Sequence, residues 1–378
     1  MPYKRSLVYE SLRLAQEGDF GAALAVWEHE GLKTGAERFL RIAGRLAVGR
    51  SALASVAGPK PDDPRLRTAI GPLQLDGPIG LAPGWDKSGT TIRAWQELGA
   101  RHHTTGGIAL RPQRGNPLPR LYTFDRRIGD HGKQVSLNSY GFPSPGVKAV
   151  ARNIARQREL GVTIPVITQV VPNADMYAPD KMWGIGDELA QSIATLITIC
   201  EPDAISLGLS SPNTRGMRDA QDNYKFMYTV TARAQEAIAE HSKQDIPLIY
   251  KGDGDGGKDR LDMYIRLAQE TGVALELINT TSDPNTKAKY GADTLGGGLA
   301  GADSDYHDLA LRSVHYVHKQ THGEVPIIGV GGVNTPERAL AMICAGANAI
   351  GVNTAVRSLG FGTFTSLENG LLELMPAE

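Results

Sequence analysis

Cysteine is nearly absent from this chain: Cys200 and Cys344 are the two among 378 residues. They stand far apart, without metal-ligand spacing, so neither a disulfide framework nor a metal site is expected. Both lie in apolar, helix-like context and are expected in the core of a protein kept in a reducing compartment. An excess of one charge is lacking too. Forty lysines and arginines against 41 aspartates and glutamates leave a formal net charge of −1, which gives no argument for a nucleic-acid partner. No apolar run reaches the roughly 18 residues of a membrane-spanning helix. Met1-Pro-Tyr-Lys-Arg5 leads into Ser6, Glu10 and Arg13 instead of an apolar stretch, so a signal peptide is not expected.

What remains is an ordinary soluble composition, 41% hydrophobic and 21% charged, with 44 glycines. The length suits one large α/β domain, or a barrel with an added segment. Residues 1–60 read as helical. Over 37–56, Phe39, Leu40, Ile42, Ala43, Leu46, Ala47, Leu53 and Ala54 recur at helical spacing, with Arg38, Arg41, Arg45 and Arg50 among them. Such a basic amphipathic helix either lies on an anionic membrane surface or docks on the main domain, and docking is the preferred expectation. Pro59-Lys-Pro-Asp-Asp-Pro64 reads as a linker, dividing a helical extension, 1–60, from a main domain, 61–378.

Beyond it, short apolar runs alternate with helical stretches. Strands are expected at 79–82, 102–105, 165–171, 204–209, 247–251, 275–279, 327–331 and 349–353. Helices are expected at 91–98, 148–159, 187–200, 225–241, 260–270, 309–320 and 336–345. Eight strands alternating with helices predict an α/β fold of the (β/α)8 TIM-barrel type with a short N-terminal helical extension. A doubly wound open sheet is the alternative. It calls for G-x-G-x-x-G after the first strand, which Gly80-Leu-Ala-Pro-Gly84 is not.

Most strand ends are polar or glycine-rich: Pro83-Gly-Trp-Asp-Lys87, Ser210-Ser-Pro-Asn213, Lys251-Gly-Asp253 and Asn279-Thr-Thr281. In a barrel these ends share one rim, where active sites are built. Arg215 and Arg218 follow Asn213 in a loop. Ile328-Gly-Val-Gly-Gly332 and Ile350-Gly-Val-Asn-Thr354 put glycines and a hydroxyl at the last two strand ends, where barrels commonly bind a phosphate. Asn334 or Thr335 caps the helix that follows.

Together with Arg111-Pro-Gln-Arg-Gly-Asn-Pro-Leu-Pro-Arg-Leu121, Asn138-Ser-Tyr-Gly-Phe142 and Gly297-Gly-Leu-Ala-Gly301, these motifs make the chain resemble dihydroorotate dehydrogenases of class 2, the membrane-associated, quinone-reducing branch. The resemblance runs from about Gly80 to Gly360. It implies a barrel holding FMN, oxidation of (S)-dihydroorotate to orotate in pyrimidine biosynthesis, a quinone acceptor, and a cytoplasmic enzyme peripheral on the inner face of a membrane through its N-terminal helices. It implies Ser211 as the base that takes a proton from C5 while hydride leaves C6 for the flavin. Lys87, Asn138, Gly141, Phe142, Asn213, Asn279 and Thr280 would bind the substrate. Ala82, Pro83, Gly84, Lys87, Gly107, Gln169, Lys251, Gly301, Gly331, Gly332, Asn353 and Thr354 would bind FMN, with Gly301, Gly332, Asn353 and Thr354 at its phosphate.

The departures from the family pattern fall in the pocket. Gly208 stands three residues before Ser211, where the family has asparagine. Thr168 or Gln169 replaces an asparagine of the third strand, Pro143-Ser144 follows Phe142, and Gly106-Gly107 replaces a glycine-hydroxyl pair. Gly252-Asp-Gly-Asp-Gly256 follows Lys251 in place of alanine-proline-aspartate. A site built to hydrogen-bond its ligand discriminates strongly, so lost amides point to a changed substrate. The alternatives are a related FMN enzyme acting on another dihydropyrimidine or cyclic amide, and a degenerate FMN-binding paralogue.

Overall fold

The computed structural model describes residues 32–376, apart from 125–133, 179 and 214–222. The helical pieces expected before residue 32, and Arg215 and Arg218, lie outside the described residues.

The single helix expected over 37–56 is two: α1 (Leu32–Ala43) and α2 (Ala47–Ala57). Glycines explain the break. A Cβ on Gly44 would come within 3.0 Å of the Ala94 nitrogen, and one on Gly49 within 2.5 Å of the Ala43 oxygen. The chain turns where only glycine allows so close an approach. Leu40, Ala43, Leu53 and Ala57 are buried in the main core beside Ala94 and Trp95, so the pair docks as expected. Its other face is apolar and open: Phe39 is 51% exposed, Ile42 57%, Leu46 53%, Val48 77% and Val56 64%.

The chain continues as a hairpin of β1 (Thr68–Ile70) and β2 (Leu73–Leu75), then β3 (Ile79–Leu81), α3 (Ile92–Glu97), β4 (His103–Ile108), β5 (Leu121–Phe124) and β6 (Val135–Asn138). Next come α4 (Val147–Glu159), β7 (Val166–Val170), α5 (Ile185–Cys200), β8 (Ala204–Leu207), α6 (Tyr224–His241) and β9 (Leu248–Lys251). Then follow α7 (Gly257–Thr271), β10 (Ala274–Leu277), α8 (Pro284–Ala288), β11 (Gly298–Gly301), α9 (Ser304–Gln320) and β12 (Ile327–Gly329). The last elements are α10 (Pro336–Cys344), β13 (Ala349–Val352), α11 (Thr354–Leu359) and α12 (Thr363–Leu374).

Strands β3, β4, β7, β8, β9, β10, β12 and β13 close into a parallel barrel, so each expected barrel strand is present. The second runs further than expected, to Ile108, and its start tolerates two histidines. The His102 ring lies where a Cβ on Gly80 would stand, and the His103 ring meets the Thr105 hydroxyl at 3.2 Å and the Asp86 carboxylate at 3.8 Å. Burial holds the pKa of each down to about 4.

Inside the barrel the bottom layer is apolar. Ile167, Ala204, Ile249, Ala274, Ile328 and Ala349 pack against Ile70 and Leu75 of the hairpin, which plugs that end. Two residues further along, on the same strand faces, come Gln169, Ser206, Lys251 and Glu276, all buried. At the opposite end β11, β6 and β5 form a small antiparallel sheet over the rim, with its own core of Val135, Leu137, Ala292 and Leu299. Neither hairpin nor roof sheet is anticipated from the sequence. One correction concerns Cys344: Cys200 is buried, but Cys344 is exposed, because α10 turns Ala339 and Met342 inward. Among the described residues no helix is long and apolar enough to cross a membrane.

Candidate active site

Between the barrel rim and the roof sheet lies a cleft of about 990 Å3, counted out to its open mouth. Of the expected site residues, Ala82, Pro83, Gly84, Lys87, Gly107, Asn138, Gly141, Phe142, Gln169 and Ser211 line it. So do Asn213, Lys251, Asn279, Thr280, Asn353 and Thr354. Gly301, Gly331 and Gly332 line an adjoining pocket of about 370 Å3 that shares Asn353 and Thr354 with the cleft. The fold thus brings together every one of them.

The loop after β3 is held by one buried carboxylate. Asp86 Oδ1 accepts N–H bonds from Gly89 at 2.7 Å, Ser88 at 3.1 Å and Thr90 at 3.2 Å. Its Oδ2 accepts from the Thr91 N–H and hydroxyl, each at 2.8 Å. A carboxylate satisfied in this way tolerates burial. The same loop is tied to the end of β13: Trp85 Nε1 donates to the Asn353 carbonyl and Asn353 Nδ2 to the Pro83 carbonyl, both at 2.9 Å. Lys87 is thereby set at the cleft wall, its Nζ donating to the Gly84 carbonyl at 2.6 Å and standing 3.9 Å over the Tyr140 ring.

The two serines after β8 have separate tasks. Ser210 Oγ accepts from Asn279 Nδ2 at 3.0 Å, whereas Ser211 lines the cleft and its Oγ accepts the Asn213 N–H at 3.2 Å. Asn213 Nδ2 donates to Asn138 Oδ1 at 2.8 Å, joining the barrel to the roof. Among the described residues, Asn213 Oδ1 is buried with no hydrogen-bond partner. A buried acceptor left open carries a penalty of about 1–3 kcal/mol that a ligand N–H relieves.

The space beside Gly208 is filled from the third strand. A Cβ there would lie 2.8 Å from Val171 Cγ1, 3.0 Å from Gln169 Cδ and 3.1 Å from Gln169 Cγ. A longer amide on β7 therefore occupies the volume that a side chain at 208 would take. Gln169 Nε2 reaches Ser206 Oγ at 3.4 Å.

In the adjoining pocket Gly331 (φ +147°) and Gly332 (φ +69°) turn the chain. A Cβ on Gly332 would stand 2.8 Å from His307 Cβ and 3.0 Å from the Gly301 oxygen, so the backbone itself forms the wall. His307 Nδ1 meets the Gly331 carbonyl at 2.7 Å, and Arg338 Nη1 donates to the Gly332 carbonyl at 2.8 Å. Burial lowers the pKa of both His307 and Arg338. Thr335, one of the two expected caps, accepts the Arg338 N–H at 3.3 Å.

Several lining residues carry no role in the expectations from sequence: Trp85 and Tyr140, which lie within quoted motifs, and Ser136, Tyr306 and Arg357. Period-2 spacing from Asn138 would have found Ser136 and, one step past the strand end, Tyr140. Ser136 Oγ lies 3.2 Å from Thr354 Oγ1.

The family model for dihydroorotate dehydrogenase matches residues 65–375. The chain is 31% identical over 336 residues to a dihydroorotate dehydrogenase (quinone) of Cereibacter sphaeroides, covering 87% of each chain. It is 32% identical over 326 residues to that of Thermobifida fusca, covering 80% of each. In fold it is similar to DHODH from Eimeria tenella in complex with ferulenol, with a TM-score of 0.73 and 24% identity over 86% of this chain and 89% of that one.

Proposed function

The chain belongs to the dihydroorotate dehydrogenase family, and from that premise we propose that it is an FMN-dependent enzyme oxidising (S)-dihydroorotate to orotate, with a quinone as acceptor, in pyrimidine biosynthesis. The observation that carries the reading is the ring of amides around Ser211, from Asn138, Asn213 and Asn279, with Asn213 Oδ1 left open, among the described residues, as a buried acceptor. A planar ring with alternating N–H and C=O groups suits such a set.

FMN fits the residues present. The cleft and its adjoining pocket share Asn353 and Thr354; Lys87 and Lys251 line the first, and Gly301, Gly331 and Gly332 line the second. Gly301, Gly332, Asn353 and Thr354 would hold the phosphate, with Gly331 beside them. Ala82, Pro83, Gly84, Gly107, Gln169, Lys87 and Lys251 would hold the ring system. When bound, FMN supplies a two-electron acceptor for the hydride.

The chain's own residues do the rest. Lys87 pairs with the substrate carboxylate. Asn138, Asn213, Asn279 and Thr280 orient the ring, against Gly141 and Phe142, so that C5 faces Ser211 Oγ. That oxygen takes the C5 proton while its own hydroxyl proton passes to solvent at the cleft mouth, and the Asn213 N–H already directed at it favours the more negative form. The roof residues exclude water from the reacting carbons.

The N-terminal extension, 1–60, serves as the membrane-facing segment of the 61–378 barrel domain. Exposed Phe39, Ile42, Leu46, Val48 and Val56, with Arg38, Arg41, Arg45 and Arg50 alongside, suit peripheral contact with the inner face of a membrane, where a quinone resides.

The purified protein is expected to be yellow, to bleach with dihydroorotate in the absence of oxygen, and to recover its colour with a quinone. Ser211→Ala keeps the flavin and slows bleaching by about 10²- to 10⁴-fold. Bleaching by another cyclic amide but not by dihydroorotate moves the activity to that substrate, and bleaching undiminished in Ser211→Ala removes Ser211 as the base.

A further inference from the structure

Lys251 and Glu276 are direct partners across β9 and β10, with Nζ 2.5 Å from Oε1. Both side chains are buried, 8% and 3% exposed. Lys251 reaches the cleft wall; Glu276 is not among the cleft-lining residues and lies behind it. The second carboxylate oxygen of Glu276 accepts from Ser206 Oγ at 3.4 Å, and Ser206 accepts from Gln169 Nε2, which returns to the cleft. Four side chains from β7, β8, β9 and β10 thus form a polar layer between the apolar barrel bottom and the cleft. The proton and hydride transfers described above make no use of the carboxylate.

Its effect on charge follows from the pairing. A lone ammonium at this depth would present a full positive charge to whatever lies above it. Paired with a carboxylate at 2.5 Å, the two amount to a dipole with no net charge. Removing one partner leaves the other uncompensated in a site of low dielectric, where its field is strongest.

We propose that Glu276 is a positioning residue that fixes the Lys251 ammonium and cancels most of its field, so that bound FMN is harder to reduce than a lone lysine would make it. The proposal rests on the FMN reading. A flavin so poised passes its electrons on to an acceptor more readily.

The test is a four-protein cycle on the FMN-loaded full chain: parent, Glu276→Gln, Lys251→Gln and the double variant, each with its midpoint potential and its sulfite affinity measured. Glu276→Gln is expected to favour reduced over oxidised FMN at least tenfold more than the parent does, which is about 30 mV upward for a two-electron couple. Sulfite affinity should rise by at least tenfold. Lys251→Gln moves both the other way, and the double variant returns to within about threefold of the parent. If Glu276 were only structural support, the double variant would match Lys251→Gln; that result, or an unmoved potential in Glu276→Gln, overturns the proposal. Should Glu276→Gln fail to fold, the comparison of Lys251→Gln with the double variant still decides. A parent that takes up no FMN overturns both this proposal and the reading beneath it, whereas FMN taken up with no charge effect overturns this one alone.

Discussion

Replacing Gly208 by alanine tests how the third and fourth strands share the cleft floor. The added Cβ would stand 2.8 Å from Val171 Cγ1 and 3.0 Å from Gln169 Cδ, both inside contact distance. Val171 is fully buried and Gln169 only 3% exposed, so neither moves freely. Overpacking of this kind costs about 1–3 kcal/mol. With an unfolding entropy of about 2.1 cal/mol/K per residue, 378 residues make each kcal/mol worth a little over 1 °C. A loss of about 2 kcal/mol therefore lowers Tm by about 2–3 °C. The assay is thermal and urea unfolding of the parent, Gly208→Ala, Gln169→Ala and the double variant. Because Gln169→Ala removes two of the three crowded atoms, the two changes should be coupled by about 1 kcal/mol in the relieving direction. KM for dihydroorotate should rise in Gly208→Ala as Gln169 is pushed toward the cleft. A Gly208→Ala protein as stable as the parent, with strictly additive behaviour in the double variant, would refute the idea that Gln169 fills this space.

Asp86→Ala leaves the Gly89 and Thr91 N–H groups buried without an acceptor and should cost about 3 kcal/mol; urea unfolding measures the loss, and release of flavin on dilution should accompany it. His102 predicts acid lability. Its folded pKa is lowered by burial to about 4 from 6.5, so the unfolded chain binds the proton first as pH falls. Stability is then full above about pH 6.5 and drains away toward pH 4, by about 2 kcal/mol between pH 7 and 5. The urea midpoint of a His102→Gln variant should fall correspondingly less over that interval; an equal fall removes His102 as the cause. Changing Phe39, Ile42 and Val48 to serine should leave dihydroorotate bleaching intact while weakening binding to anionic vesicles by about tenfold or more, as read by sedimentation. Unchanged vesicle binding rejects the apolar face as the membrane contact.

The barrel was legible because most of its strands are short, largely apolar runs separated by amphipathic helices, and the alternation stands out even where β4 begins with His103 and holds little apolar sequence. The break between α1 and α2 was not, because Gly44 and Gly49 are needed for contacts that exist only after folding. The hairpin and roof strands are three or four residues long, too short for an alternating pattern to declare itself. Cys344 misled because an apolar neighbourhood in sequence does not say which side of a helix faces the barrel. In the site, motif residues such as Lys87, Ser211 and Asn213 stood at strand ends and could be named. Glu276 could not: it sits within an apolar run, and its partner Lys251 is joined to it only by the register of β9 with β10. The missing amide at Gly208 was visible, but not that Gln169 occupies its volume.

The roof has a consequence for the order in which the molecule is completed. Asn138 of β6 and Gly298 of β11 are 160 residues apart in the chain, yet they are neighbours in the same small sheet. Such a distant pairing gains nothing until the intervening loop has been closed by other contacts. As the chain leaves the ribosome, β6 has only β5 beside it while β7, β8, β9 and β10 are still being made. The amide pair of Asn138 and Asn213 has no fixed frame until β11 arrives, and the glycine wall from β12 follows later still. A nascent chain halted before residue 298 would hold much of the barrel and no enclosed cleft. Acquisition of the cofactor thus becomes one of the last events in biogenesis, and yellow colour marks a finished molecule.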